Sequence, residues 1–386
     1  MEIVSSVWHV ISASLVFIIG LLICFSLSRP FQIKRLMALC IYFWHTVMCL
    51  VYVWYAQRSP ADANRYFNSE LDFANFKLGT QAVETLTNLL KLLDLSYLGC
   101  FLVFNIIGTI GLLAFSASLQ HVTKQSSSFL KWLAIIFTFL PSVSFWSSAI
   151  GKDAISFFAT GMLLWSVLDL KHRKSLLIVS VFSMLIVRPH MAGIMMIAIS
   201  SAIVMDKNVN IQVKSLFAVA SLSILVFLVP YALNYAGVTG DISSANVDNY
   251  LAKKQGHNME GGSSVNIASM PLPVKMFTYL FRPLPHEAHN ITALLASLDN
   301  VMILILFALA IKHVRSNQLK ADQANRLLMW SYSLGCLLIL SLTTANLGIA
   351  MRQKWMFLPI IIYLLLSSLV FTRRKHRMNS MHSRHE

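Results

Sequence analysis

Apolar residues along this chain gather into runs of membrane length, each closed by a short cluster of charged or turn-forming residues. Eleven runs are legible, at roughly 6–28, 36–56, 97–119, 130–150, 154–170, 175–188, 190–205, 215–235, 298–314, 327–347 and 355–371. A helix of about 20 apolar residues crosses the hydrocarbon core and satisfies its own backbone hydrogen bonds on the way. The pattern predicts an all-α, polytopic helical membrane protein with about 11 transmembrane helices. The sixth and seventh runs are short, and Arg188-Pro189-His190 separates them.

Two connections stand out by length, 57–96 and 236–297. Links that long in a chain so economical elsewhere usually carry function. No internal repeat and no Gly/Ser linker divides the sequence, so residues 1–386 read as one integral-membrane domain. In the first long loop, Arg58 to Phe67 is polar and turn-like, while Val83, Leu86, Leu90 and Leu93 recur at helical spacing. That second half predicts an amphipathic helix, suited either to the membrane surface or to packing on the protein. The loop 236–297 begins polar, with Asp241, Asp248, Lys253, Lys254 and His257. It turns amphipathic over 274–281 and continues into Arg282-Pro283-Leu-Pro-His286-Glu287, a composition that fits a re-entrant or interfacial segment.

Composition supports the membrane reading. The chain is 56% hydrophobic and 12% charged, against about a quarter charged in an average soluble protein. The net charge of +15 would suit a nucleic-acid partner, but its distribution excludes one. The loops 29–35, 120–131, 171–174, 206–214 and 312–326, together with the tail 372–386, hold 19 of the lysines and arginines against Asp206, Asp322 and Glu386, with Asp169 at the helix end beside them. By the positive-inside rule these loops are cytoplasmic. The amino terminus and both long loops are then extracytoplasmic, as in a multi-pass protein of a bacterial inner membrane. The tail Arg373-Arg374-Lys375-His376-Arg377 also suits anionic membrane lipids. The first run lacks a basic leader and a small-residue cleavage site, so it is expected to be retained. All five cysteines lie within apolar runs and read as small buried hydrophobes.

Polar groups interrupt the apolar runs mainly at their extracytoplasmic ends: Lys152 and Asp153, Arg188 and His190, Arg282 and His286, Arg352 and Lys354. Charge at membrane depth is costly and points to a partner or a function. The turn Trp146-Ser-Ser-Ala-Ile-Gly151-Lys152-Asp153 is the centre of this set. Together these segments suggest a cationic cavity open to lipid. Arginine presents a forked donor that matches phosphate oxygens, so a polyprenyl phosphate or pyrophosphate carrying a sugar is the expected ligand. Arg65, Lys152, Arg188, Arg282, Arg352 and Lys354 are the candidate diphosphate and glycan contacts. A carboxylate or imidazole would take the proton of the acceptor hydroxyl. Asp62 is the first candidate, followed by His190, His286 and Asp153.

The segments Pro141 to Asp153, Val187-Arg188-Pro189-His190, Phe281-Arg282-Pro283 and Ala350-Met-Arg352-Gln-Lys354 before Pro359 give the chain its family resemblance. It resembles Wzy-type glycan polymerases, which make O-antigen or exopolysaccharide, and more loosely GT-C glycosyltransferases. The resemblance implies a bundle of about ten to fourteen spans with large outer loops. It also implies joining of sugar units carried on undecaprenyl pyrophosphate at the periplasmic face, with diphosphate-binding arginines at Arg188, Arg282 and Arg352. The periodic Arg–Gly pattern of some such polymerases is absent. Asp62 is a single acid after the second span, where GT-C enzymes carry an acidic pair after the first.

No cofactor or metal is called for. His286-Glu-Ala-His289 has the wrong spacing for a zinc helix and follows two prolines. Gly261-Gly-Ser-Ser lacks the lysine of a phosphate loop, and Asn290-Ile-Thr292 is a glycosylation sequon only in a secretory pathway. His9 and His45 lie on apolar helices and read as packed or interfacial. Three readings remain beside the polymerase: a transferase of single sugars from a polyprenyl monophosphate, a transporter or flippase of lipid-linked glycans, and a non-enzymatic assembly protein. Expected partners are the lipid-linked glycan, membrane lipids and glycan-assembly proteins such as a flippase or chain-length regulator.

Overall fold

The computed structural model describes residues 3–72, 76–235, 265, 270–288, 291–314 and 323–382. Among these the regular structure is helical, with no strand. The polar start of the second long loop, with Asp241, Asp248, Lys253, Lys254, His257 and Gly261, lies outside the described residues, as do His289 and Asn290. Among the described residues six helices are long and apolar enough to cross a membrane: Val7–Leu27, Arg35–Ala56, Tyr97–Thr123, Ser128–Ser147, Ala293–Ile311 and Asn325–Thr343. A bent pair, Leu347–Met356 and Leu358–Val370, turns through 64° and supplies a seventh if taken as one span. Helices also occupy the remaining apolar runs, several of them shorter than a bilayer. The chain divides into two compact units, Met1–Pro189 with the chain's end and His190–Lys375.

The first unit is built around α5. In chain order it contains α1 (Val7–Leu27), α2 (Arg35–Ala56), α3 (Asp62–Asn68), α4 (Thr80–Leu92), α5 (Tyr97–Thr123), α6 (Ser128–Thr138), α7 (Pro141–Ser147), α8 (Lys152–Val167) and α9 (Lys174–Val187). Ser96 caps α5 by accepting from the Gly99 amide at 3.0 Å. α5 is apolar all round and packs against α8, α2, α1 and α6, whereas α1 turns most of its apolar side chains outward. The α5–α8 contact is backbone to backbone. A Cβ on Gly161 would sit 2.4 Å from the Gly111 carbonyl oxygen, and one on Gly111 would sit 2.7 Å from Phe158 Cα. Helices in lipid gain from such close approach, because burial against a partner brings little hydrophobic gain there.

Polar side chains inside this bundle satisfy one another. His45 Nδ1 meets Asn105 Oδ1 at 2.6 Å, and Nε2 meets Ser147 Oγ at 2.8 Å. Asn105 donates to Thr46 Oγ1 at 2.9 Å. This knot, fully enclosed, ties α2, α5 and α7 together, and His45 is a packed residue as its apolar helix implied.

The sequence run 130–150 is two helices, because Pro141 lacks the N–H that would continue α6 and instead opens α7. A similar break ends α9. Arg188 precedes Pro189, which disfavours helical geometry at the residue before it, and Arg188 sits at φ −146°, ψ 73°.

The second unit contains α10 (Pro189–Met205, entered from the first unit), α11 (Ile211–Tyr235), α12 (Leu272–Phe281), α13 (Ile291–Val314), α14 (Gln323–Thr343), α15 (Leu347–Gln353) and α16 (Leu358–His382). α12 is short and packs against α13, α14 and α15, burying Thr278, Tyr279, Leu280 and Phe281. The end of this helix therefore meets protein, while Leu272, Val274 and Phe277 stay exposed.

Candidate functional site

In the first unit, α3 and α4 cover the end of the bundle where α2 and α9 stop and α5 and α8 begin. One apolar cluster joins all of these ends: Tyr52 and Val53 of α2, Ala63 and Tyr66 of α3, Val83 of α4, Phe101 of α5, Ile150 and Ala154 at the start of α8, and Val187 of α9. Hydrogen bonds fix the cover. Asn64 donates to the Ala56 carbonyl at 2.7 Å and accepts from the Tyr97 hydroxyl at 2.6 Å. The Lys91 ammonium donates to the Phe67 and Ser69 carbonyls at 2.8 and 3.0 Å, and so closes the open end of α3. The Gly79 amide donates to the Ile186 carbonyl at 2.8 Å, two residues before Arg188.

Under this cover lies an ion pair. Arg188 Nη2 is 2.6 Å from Asp153 Oδ1, with the arginine side chain 9% and the carboxylate 16% exposed. Asp153 stands in the first turn of α8, where the helix dipole favours an anion. Arg188 Nε is buried and has no hydrogen-bond partner. A buried donor left unmet costs about 1–3 kcal/mol, so an acceptor delivered by a ligand would be bound favourably there. Lys152 is half-buried at the first position of α8. Asp62 and Arg65 face each other along α3 at 4.0 Å.

Tyr66 connects these groups. Its ring lies 3.7 Å from where a Cβ on Gly151 would be, and the Arg65 guanidinium sits 5.2 Å from the ring centroid. Burial pushes the Tyr66 phenol up to about 12; Asp62 and Asp153 add to the rise, and Arg65 and Arg188 oppose it. The phenol thus stays protonated at neutral pH, in the field of both carboxylates and both arginines. Five candidate residues, Asp62, Arg65, Lys152, Asp153 and Arg188, belong to this one end of the first unit.

The second unit holds a second polar cluster. Lys354, fully buried in the 3₁₀ turn Lys354–Met356 between α15 and α16, donates to Asn300 Oδ1 and to the Leu280 carbonyl at 3.4 Å. Asn300 in turn donates to the Pro283 carbonyl at 2.9 Å. Asp299, also buried, sets an opposite charge in the surroundings of Lys354. Arg282 is engaged by Glu287: Nε donates to Oε1 at 2.8 Å, and the Leu284 amide donates to Oε2 at 2.8 Å. The Arg282 hydrogen bond is the main cause holding the Glu287 carboxyl below the usual carboxylate range. His286 is exposed beside them, and Arg352 is half-buried in the last turn of α15. His190 is half-buried in the first turn of α10.

Five candidates thus gather at one end of the first unit, while Lys354 and Arg282 are each bound to polar neighbours in the second unit, which also contains His190, His286 and Arg352. Lys354 caps the last turn of α12 with its ammonium, and Arg282 is bound by a neighbouring acid. Sequence reasoning singled out neither Tyr66 nor Asn300. The signal for Asn300 was present, since Asp299-Asn300 opens an apolar run and polar groups at such depth need partners. Tyr66 carried no signal beyond its place in a polar turn. Among the described residues no group of three His, Cys, Asp or Glu side chains is arranged to hold a metal. No protein-family model, no curated protein and no solved structure matches the chain.

Proposed function

We propose that this protein is a membrane glycosyltransferase that joins oligosaccharide repeat units carried on polyprenyl pyrophosphate, as in the synthesis of O-antigen, capsule or exopolysaccharide. One observation carries the reading: Arg188 is a nine-tenths buried guanidinium, held by Asp153 through one nitrogen, with a buried Nε that has no acceptor. It lies at a bundle end that also bears Lys152 and Arg65. A diphosphate oxygen is the acceptor that this nitrogen and these cations suit. As the sugar–phosphate bond breaks, negative charge grows on the leaving diphosphate, and preorganised cations stabilise it. Asp62, half-buried near Tyr66, takes the acceptor hydroxyl's proton on this reading, and Asp153 orients Arg188. On this reading the site faces the periplasm of a bacterial inner membrane, with the amino terminus outside and the carboxyl terminus inside.

Arg188→Ala is expected to abolish polymer while the protein still inserts and single repeat units still form. Normal product ladders from that variant would overturn the diphosphate role. A single-sugar transfer from a polyprenyl monophosphate would instead give one addition and no ladder.

The bent span around Lys354 favours a second reading, a transporter of lipid-linked glycans. Interrupted helices with buried polar groups are how transporters build binding sites within the bilayer. Movement of the lipid-linked unit across proteoliposomes without any new glycosidic bond would select it.

A further inference from the structure

The short helix α4 carries a feature that the glycan reading does not use. One face is packed on protein, through Ala82, Val83, Thr87 and Asn88. Toward its carboxyl end the helix shows apolar side chains, with Leu92 72% and the following Leu93 66% exposed and Leu89 exposed beside them. An edge of three leucines left in water would be unfavourable, since burying each side chain is worth about 1.5–3 kcal/mol.

Its surroundings identify what covers it. Asp94, directly after this edge, pairs with His9 in the first turn of α1, with Nε2 3.5 Å from Oδ1. The leucines are therefore level with the start of a membrane-length helix, next to the exposed Trp8. α2 ends at the same end of this unit with exposed Trp54, whose ring lies 4.4 Å from the Arg58 guanidinium. Tryptophans and arginines at span ends mark the head-group level of a bilayer. The leucine edge thus continues the lipid-facing surface of α1 and α2.

We propose that α4 is an interfacial helix, seated by Leu89, Leu92 and Leu93 in the head-group boundary of the bilayer, and that this seat holds α3 over the Arg188–Asp153 pair. The lever is on the helix itself. Lys91 and Asn88 grip the end of α3, and Gly79, just before α4, is bonded to Ile186. Lipid contact at one edge is in this way connected to the placement of Asp62 and Tyr66. The inference stands whether the ligand beneath is a glycan carrier or another anion.

The test uses the full chain in vesicles of phosphatidylcholine and phosphatidylglycerol. Cys40, exposed where the other cysteines are buried, is first changed to serine. An environment-sensitive fluorophore on Leu92→Cys should be quenched about twofold or more by lipids spin-labelled at the head group, and less by lipids labelled at the acyl end. Water-like, unquenched emission would overturn the proposal. Shielded emission that no lipid label quenches would also overturn it, in favour of a protein partner. A second variant reads the lever. Ala63→Cys, fully enclosed on the packed face of α3, should resist a water-soluble maleimide, and the added pair Leu92→Glu and Leu93→Glu should raise its labelling about tenfold through local opening. Unchanged labelling in an otherwise folded protein would sink the link between the lipid seat and the site.

Discussion

Arg188 reaches 35 residues back along the chain to Asp153 and donates to its Oδ1 at 2.6 Å, joining the carboxyl end of α9 to the first turn of α8. Neither charge is at home in this setting alone. Removing one partner leaves the other buried without this ion pair, at a cost of about 3–5 kcal/mol. Arg188→Ala and Asp153→Ala should each lower the thermal midpoint of the purified protein clearly. The double variant should recover part of the loss. A double variant as unstable as the sum of the singles would show that the pair is not coupled.

Gly108 and Gly151 make contrasting predictions. A Cβ on Gly108 would lie 2.0 Å from the Ser147 carbonyl oxygen and 2.9 Å from His45 Cε1. Backbone must move to admit it, so Gly108→Ala should cost about 1–3 kcal/mol. At Gly151 the nearest atom would be Tyr66 Cε2 at an ordinary 3.7 Å, and the backbone is extended. Gly151→Ala should change stability by less than about 0.5 kcal/mol. Thermal unfolding of the two variants side by side decides it.

Glu287 gives the second unit a pH dependence. Its carboxyl is held low by the Arg282 hydrogen bond and by the Leu284 amide, against the opposing effect of burial. Folding lowers this pKa, so the stabilisation is complete above the unfolded value of about 4.3 and is lost as pH falls through the folded value. Glu287→Gln should therefore be less stable than wild type at pH 7, with the gap narrowing as the pH falls through the folded value. A gap that stays constant from neutral to acid pH would exclude this origin.

Lys354 is expected to act on folding before it acts on any ligand. Lys354→Met keeps the apolar stem but removes the donor to the Leu280 carbonyl and to Asn300. The loss should be about 1–3 kcal/mol, read as reduced folded yield in detergent. Full yield with weakened anion binding would instead assign Lys354 to the ligand.

The helical, membrane-directed character of this chain was legible throughout its sequence, because a run of apolar residues long enough to cross a bilayer has few alternatives to a helix. Bounds at 7–27, 35–56 and 97–123 follow the hydropathy runs closely. The break at Pro141 and the stop before Pro189 were written in the chain but were legible only as local chemistry, since proline acts on its own turn. The amphipathic helix of the first long loop was legible too, although not which of its faces meets protein. The polar residues at span ends were also visible. What they hold was not: Arg282 was read as a diphosphate contact, and only the structure shows that it also folds back onto Glu287.

By itself, then, the sequence determined helices, their approximate ends and the positions where charge interrupts apolar runs. These depend on residue type and on periodicities of a few residues, which are local properties. Tertiary structure decided the pairings. Arg188 with Asp153, Lys354 with Asn300, His45 with Asn105 and Gly79 with Ile186 each span from 35 to 107 positions. Such contacts arise from how packed helices bring distant turns together, and no local pattern in the chain encodes them.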